Sequence, residues 1–301
     1  MEAAGGDYSV FVLLDELGAS TLRVSTPLVF AALGGLYSER AGVVNIALEG
    51  MMLVGAFGAA ATTLSTHNPW LGGAVGLASG MALAAIYGLF VIPLRANQVV
   101  AGTAINILAM GITPFLCKIL YHVTSSTPSI PLTERFQFFP VLAAWVAVLL
   151  TWMILQRTPG GLWLRFAGEN PHALDAAGIP VNPVRWVAVL ASGALAGLGG
   201  ATLSIFLSSS FSRNMTAGRG FMALAALIFG KWRPLHAAGA CLLFGFFEAA
   251  QIRLQGFSSL GGWSVPAEFV QVLPYVFTVL ILAGFAGQTG TPRALGKPFS
   301  R

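Results

Sequence analysis

Glu49 lies inside the otherwise apolar run 43–64, with Asn45 four residues before it. An acid at the centre of a membrane-spanning helix costs about 2.5 to 3.5 kcal/mol on insertion scales, so such a residue normally faces protein, water or a transported molecule. Residues four apart share one face of a helix. On that face Asn45 offers donor and acceptor groups and Glu49 accepts from hydroxyls or amines, the chemistry of a polar path through a membrane. The structural alternative is that Glu49 pairs with Arg40 or caps the end of a broken helix. A second polar stripe, Gln98, Gly102 and Asn106, recurs at i, i+4, i+8 in the apolar run 98–121, with Thr103 in the same stretch. Lining of the same path and a helix-to-helix contact worth about 0.6 kcal/mol both explain it. The balance favours packing for Gln98 and lining for Asn106. Glu248, Gln251 and Gln255, at i, i+3 and i+7, read as a solvated helix end, with an outer vestibule or docking role as the alternative; Glu248→Ala is then expected to do little.

The elements that must position these groups follow from composition. Of 301 residues, 56% are hydrophobic and only 9% charged, and the mean hydropathy is +0.77. A soluble domain of this length needs a polar exterior, so the chain belongs in a membrane. Long apolar runs there mean helices, because unpaired strand edges are not tolerated in hydrocarbon. The runs are 20–37, 43–64, 70–93, 98–121, 139–156, 184–208, 221–230, 234–255 and 267–287. The expected fold is an all-α, polytopic transmembrane bundle of eight to nine membrane segments, the run 221–230 being too short to span at about 1.5 Å per residue. The organisation is an N-terminal extension at 1–19, a transmembrane domain at 20–287 with a cytoplasmic loop at 157–183, and a cytoplasmic tail at 288–301.

The net charge of +5 does not mark a nucleic-acid binder, because the cations are distributed by loop. Arg157, Arg165 and Arg185 flank the central loop, Arg95 sits in a tight turn, Lys231 and Arg233 in another, and Arg293, Lys297 and Arg301 in the tail. The positive-inside rule makes these four places cytoplasmic. The stretch 122–138 then falls outside, and so does the N-terminus, provided 221–230 crosses rather than re-enters.

Several chemistries are excluded. Gly230, Lys231 and Trp232 lack the upstream glycine and the hydroxyl residue of a phosphate-binding loop, so ATP hydrolysis within this chain is not expected. No nucleophile has a plausible base, and no HExxH is present, which argues against a membrane-embedded hydrolase. Cys117 and Cys241 read as small hydrophobes, and His67, His122, His172 and His236 have no metal-ligand spacing.

Interruptions carry the remaining signal. Ser38, Glu39, Arg40, Ala41 and Gly42 break the apolar sequence, and Gly218, Arg219 and Gly220 precede a short run with Pro234 beyond it. Paired broken helices in the two halves of a transporter point to an inverted repeat with its site at the interface, and 39–57 and 219–232 are read as such a pair. Gly72, Gly76 and Gly80, and Gly193 and Gly197, have the spacing of close helix packing. In the central loop, Asn170 is a good helix cap, Pro171 suits the first helical position, and Gly178 followed by Pro180 is a stop signal, which predicts a short helix over 171–177. Two helical turns have no stability alone, so this helix must dock against something.

The residues Glu39 through Met52 (ERAGVVNIALEGMM), Asn97 through Asn106 (NQVVAGTAIN), and Gly168, Glu169, Asn170 and Pro171 with Ala177, Gly178 and Ile179 together resemble the permease subunits of bacterial nucleoside ABC importers. These belong to a wider group of ribose, simple-sugar and branched-chain amino acid permeases. The resemblance spans about 26–287. It implies a related second permease subunit, a cytoplasmic ATPase that holds the ATP, an extracytoplasmic substrate-binding protein, and a multi-pass location in the bacterial inner membrane. No cofactor is implied in this chain. Glu169, Asn170, Pro171, His172, Asp175 and Gly178 then belong to the coupling helix that enters the ATPase, and Asn45, Glu49, Asn106, Gln98, Thr103 and Phe221 to the substrate pathway. Phe221, like Phe211 and Trp263, offers a ring able to stack on a nucleobase, although most aromatic residues of a membrane protein serve core and interface. Two other functions are carried as alternatives: a simple-sugar permease of the same kind, and an ion-gradient carrier in which Glu49 is a proton or sodium site.

Overall fold

The computed structural model describes residues 3–257, 276 and 290–299, and among these it is built from helices. They are α1 (Ala3–Arg40), α2 (Leu48–Thr66), α3 (Pro69–Val91), α4 (Gln98–Tyr121), α5 (Phe139–Arg157), α6 (Pro159–Glu169), α7 (Pro171–Ala176), α8 (Val181–Thr202), α9 (Arg219–Phe229) and α10 (Pro234–Phe257). Seven helices among the described residues are long and apolar enough to cross a membrane; α9, with 11 residues, is not. Apart from residue 276, the run 267–287 lies outside the described residues, as does Trp263.

Local chemistry sets most boundaries. The side chains of Asn68, Asn97, Thr158 and Asn170 accept backbone N–H groups at the starts of α3, α4, α6 and α7, where four amides per helix otherwise lack partners. His67 and His122 end α2 and α4 in the left-handed conformation, at φ 54° and 60°. The first apolar run extends upstream, since α1 is continuous from Ala3 through residue 19.

Burial ranks the helices. The most apolar window of α8 is 72% buried and that of α4 only 28%, so α8 is the central post and α4 lies at the periphery. The outer faces of α3, α4 and α5 expose Leu89, Ile107, Phe115 and Leu149, as expected where lipid replaces water. Glycines bring α2, α3 and α8 together. A Cβ on Gly80 would lie 2.6 Å from the Cα of Gly197, and one on Gly76 would lie 2.9 Å from the carbonyl oxygen of Gly55. The spacing seen in the sequence is thus used for backbone approach.

Two crossings are interrupted. After Arg40 the chain leaves the helix at 41–47 before α2 starts at Leu48. After α8 a π-helical turn, Leu203–Leu207, leads into irregular chain at 208–218. This stretch meets the loop after α4 at one end of the bundle, where Ser126 bridges Ser212 and Arg213 N donates to Ser125 O at 2.7 Å. At the other end, the turn after α9 meets the end of α1, with Arg40 Nε donating to Trp232 O at 2.9 Å. The segment 208–229 therefore runs from end to end as irregular chain plus half-helix, which resolves the choice left by its short run: α9 completes a crossing. α10 returns antiparallel to α1, and Arg253 on α10 pairs with Glu16 at 3.0 Å.

Candidate functional site

Five backbone groups near the first interruption have lost helical partners, and side chains from α3, from α4 and from Asn45 of the segment itself replace them. Gln98 Oε1 accepts from Val44 N at 2.7 Å, while the hydroxyl of Tyr87 donates to Val44 O. Asn106 Nδ2 donates to Ile46 O at 3.0 Å and its Oδ1 accepts from Gly50 N at 2.8 Å. Asn45 Oδ1 accepts from Ala47 N at 3.1 Å, and its Nδ2 donates to Ser192 Oγ on α8 at 2.8 Å. Non-helical backbone at membrane depth persists only where protein satisfies it in this way. Gly102 completes the fit, because a Cβ there would press on Ile46 and Ala47 N at 3.1 and 3.2 Å.

This corrects the shared-face argument for Asn45 and Glu49. Asn45 is not helical; the backbone turns at Ala47 and α2 begins one residue before Glu49. Asn106, expected to line a path, braces the interruption as Gln98 does. Thr103 lies on the exposed face of α4 and donates to Val100 O of its own helix at 2.9 Å. Phe221 is 48% exposed on α9, while Phe211 is buried edge-on against Phe57 at 5.3 Å. The structure thus gathers Asn45, Glu49, Gln98 and Asn106 around one broken segment and leaves Thr103 and Phe221 outside it.

Glu49 joins the two interruptions. Its carboxylate accepts from Gly218 N at 2.8 Å and from Gly220 N at 2.6 Å, the first amides of α9. Partial positive charge gathers at a helix N-terminus, so an anion there is favoured, and the bonds are charge-assisted. Gly220 is required by proximity: a Cβ would lie 2.5 Å from Glu49 N. The broken-end cap weighed for Glu49 is therefore what the geometry provides.

Arg219, between the two bonded glycines, pairs with Glu248 of α10 and donates from Nη1 to Met215 O at 3.1 Å. Glu248 is not a solvated helix end; its side chain is 16% exposed, and Arg219 is 22% exposed. The heptad-like polar spacing concealed this partner, which lies 29 residues away. Glu248→Ala is accordingly expected to lower the thermal midpoint, and Arg219→Ala in the same protein to recover part of the loss. Thermal melts of the four proteins should give a coupling energy of about 1 to 3 kcal/mol; strict additivity would remove the pair as a support of α9.

At the opposite end from the 122–138 loop, α7 is docked. Leu174 packs with Ala167 and Val181 in a small core that includes Phe299, and the ring of His172 lies 5.4 Å from that of Phe299. Gly178 closes the turn at φ +82°. Glu169 lies 4.0 Å from Arg40 and accepts from Arg293 N at 3.4 Å. Asp175 and Arg95 border one cleft with Phe299. Arg185, counted in the sequence only as a loop cation, is 3% exposed. Its guanidinium donates to Ala41 O at 3.1 Å, Lys297 O at 3.1 Å and Ala167 O at 3.4 Å. It thereby ties the first interruption, the end of α6 and the tail into one unit. A lone arginine amid apolar sequence, at a helix start, was the signal available for it; Ser192 and Tyr87 had none.

Residues 18–282 match the family described as branched-chain amino acid transport system / permease component. The chain belongs to this permease family. The permease is 38% identical over 306 residues to the nucleoside ABC transporter permease protein NupC of Lactococcus lactis subsp. cremoris, covering 94% of this chain and 96% of that one. It is 37% identical over 314 residues to the guanosine ABC transporter permease protein NupQ of Bacillus subtilis, covering 95% and 97%. It is also 36% identical over 294 residues to the putative glucose ABC transporter permease protein TsgC13 of Haloferax volcanii, covering 88% and 89%. The permease is a multi-pass membrane protein and a transport component rather than an enzyme.

Proposed function

We propose that this permease is the membrane-spanning subunit of a nucleoside ABC importer in the inner membrane of a bacterium. A second, related permease subunit completes the pathway, an extracytoplasmic protein delivers substrate, and a separate ATPase binds ATP and drives alternating access. The substrate class rests on the two relatives named for nucleoside and guanosine transport, each matched over at least 94% of this chain. The coupling reading rests on Arg185. Its guanidinium connects Ala167, just before α7, with Ala41, where the first crossing breaks. A push on α6 and α7 thus reaches the irregular segment that Glu49 joins to α9. Both Glu49 oxygens accept backbone amides, which favours this mechanical role over a proton or sodium site.

Uptake of labelled nucleosides by cells carrying the complete system should stop on ATP depletion and survive an uncoupler; the reverse pattern would favour an ion-gradient carrier. The 36% identity to a putative glucose permease keeps a sugar substrate as the second reading, which preferential uptake of glucose over guanosine would support. For α7, Asn170→Ala with Pro171→Gly removes the side-chain acceptor of Ala173 N at 3.1 Å and the fixed first residue. Loss of the cap costs about 1 kcal/mol, enough to fray a helix of two turns. Copurification of the ATPase should fall several-fold while the permease still folds. Undiminished copurification and turnover would remove α7 from the coupling contact.

A further inference from the structure

At the α6–α7 end, beside the docked helix, lies a cleft of about 510 Å³ between the ends of α1, α5 and α6 and the turn that opens α10. Arg40, Arg165 and Arg233 line it from three different elements, together with Trp152, Trp232 and His236. We propose that this cleft binds a phosphate-bearing anion, either the headgroup of an anionic lipid or a soluble phosphomonoester.

The charge balance carries the argument. Three guanidiniums share one cleft; Glu169 lies 4.0 Å from Arg40 and Glu39 is held by the cleft residue Trp232, so positive charge still exceeds negative by one with both carboxylates counted as ionised. Arg40 is also held by its bond to Trp232 O. One donor is left over: Arg165 Nε is buried and has no hydrogen-bond partner. A buried donor without an acceptor is destabilising, and a guanidinium fork matches phosphate oxygens in pairs. The indole N–H of Trp232 is already given to Glu39 at 2.6 Å, so Trp232 supplies backing surface rather than a polar contact. The volume suits a phosphate with an attached group, because small-molecule sites typically enclose about 300 to 1,000 Å³. The opening is exposed at Arg233 and His236, which lets a ligand enter from the aqueous side or from the lipid interface.

The test uses the full chain in two arms. In the soluble arm, binding of radiolabelled AMP is measured by equilibrium dialysis in nanodiscs of neutral phosphatidylcholine. In the lipid arm, detergent-solubilised protein is titrated with phosphatidylglycerol against phosphatidylcholine and read by native mass spectrometry. Arg165→Gln with Arg233→Gln should weaken one probe at least tenfold, while Lys231→Gln, which removes a charge from the same turn outside the cleft, leaves it unchanged. Loss confined to AMP identifies a free phosphomonoester, and loss confined to phosphatidylglycerol identifies a headgroup. Should the double variant fail to fold, the exposed Arg233→Gln alone carries the test, with at least threefold weaker binding expected. Wild-type binding by the variants in both arms overturns the proposal, as does an equal loss in Lys231→Gln. Loss of ATPase copurification with unchanged phosphate binding overturns it in favour of a protein-docking surface.

Discussion

Glu49→Ala is expected to abolish uptake and to reduce sharply the amount of folded permease, whereas Glu49→Gln should leave a folded protein with at least tenfold slower uptake. The wild-type carboxylate satisfies the amides of Gly218 and Gly220 together. A hydrogen bond to a charged group contributes about 1.5 to 3 kcal/mol, so alanine forfeits about 3 to 6 kcal/mol and strands two backbone donors. That is a large part of the 5 to 15 kcal/mol by which a typical protein is stable. Glutamine keeps one acceptor but turns an NH2 group toward the second amide, donor against donor, at a helix end that favours negative charge. The half-helix then forms but is held loosely against α2. Melting temperature and initial uptake rate, measured together, separate the two effects. A Glu49→Ala protein that melts like wild type would show that α9 does not depend on this cap.

Gly55→Ala should be nearly as damaging, although it adds one methyl group. The new Cβ would lie 2.5 Å from both the Cα and the carbonyl oxygen of Gly197, and backbone has no rotamer with which to yield. Helices α2 and α8 would have to separate, disturbing the neighbouring contact of Gly200, whose own Cβ would lie 2.7 Å from the carbonyl carbon of Met52. Overpacking a tight interior costs about 1 to 3 kcal/mol, and here it opposes the gain of about 1 kcal/mol that alanine brings over glycine as a helix former. Gly111 on α4 isolates the second effect, because nothing lies within 4 Å of its added Cβ. Gly111→Ala is therefore expected to be neutral or slightly stabilising. If the two variants melted alike, close α2–α8 approach would not be what these glycines provide.

Much of the scaffold was legible because its causes are local. Apolar runs of spanning length, the cap at Asn170, and the Pro171 to Gly178 punctuation all act through neighbours within about four residues. The short helix predicted over 171–177 forms as α7, Pro171–Ala176. The glycine spacing on α3 and α8 was equally visible, since small residues four apart lie on one face.

The sequence by itself determined that the chain is a membrane bundle with two interrupted crossings, a capped helix on the cation-rich side, and an acid that needs a partner. Only the tertiary structure decided where α2 begins, because residues 43–47 are almost as apolar as the helix that follows them. The break persists because Gln98 and Asn106, 54 and 56 to 60 residues away, and Ser192, 147 residues away, take over its polar backbone groups and Asn45. The same holds for Glu49, whose amides come from 169 and 171 residues along the chain. Hydrogen-bonding capacity is a property of each residue type, but in hydrocarbon its satisfaction is a property of the packed fold.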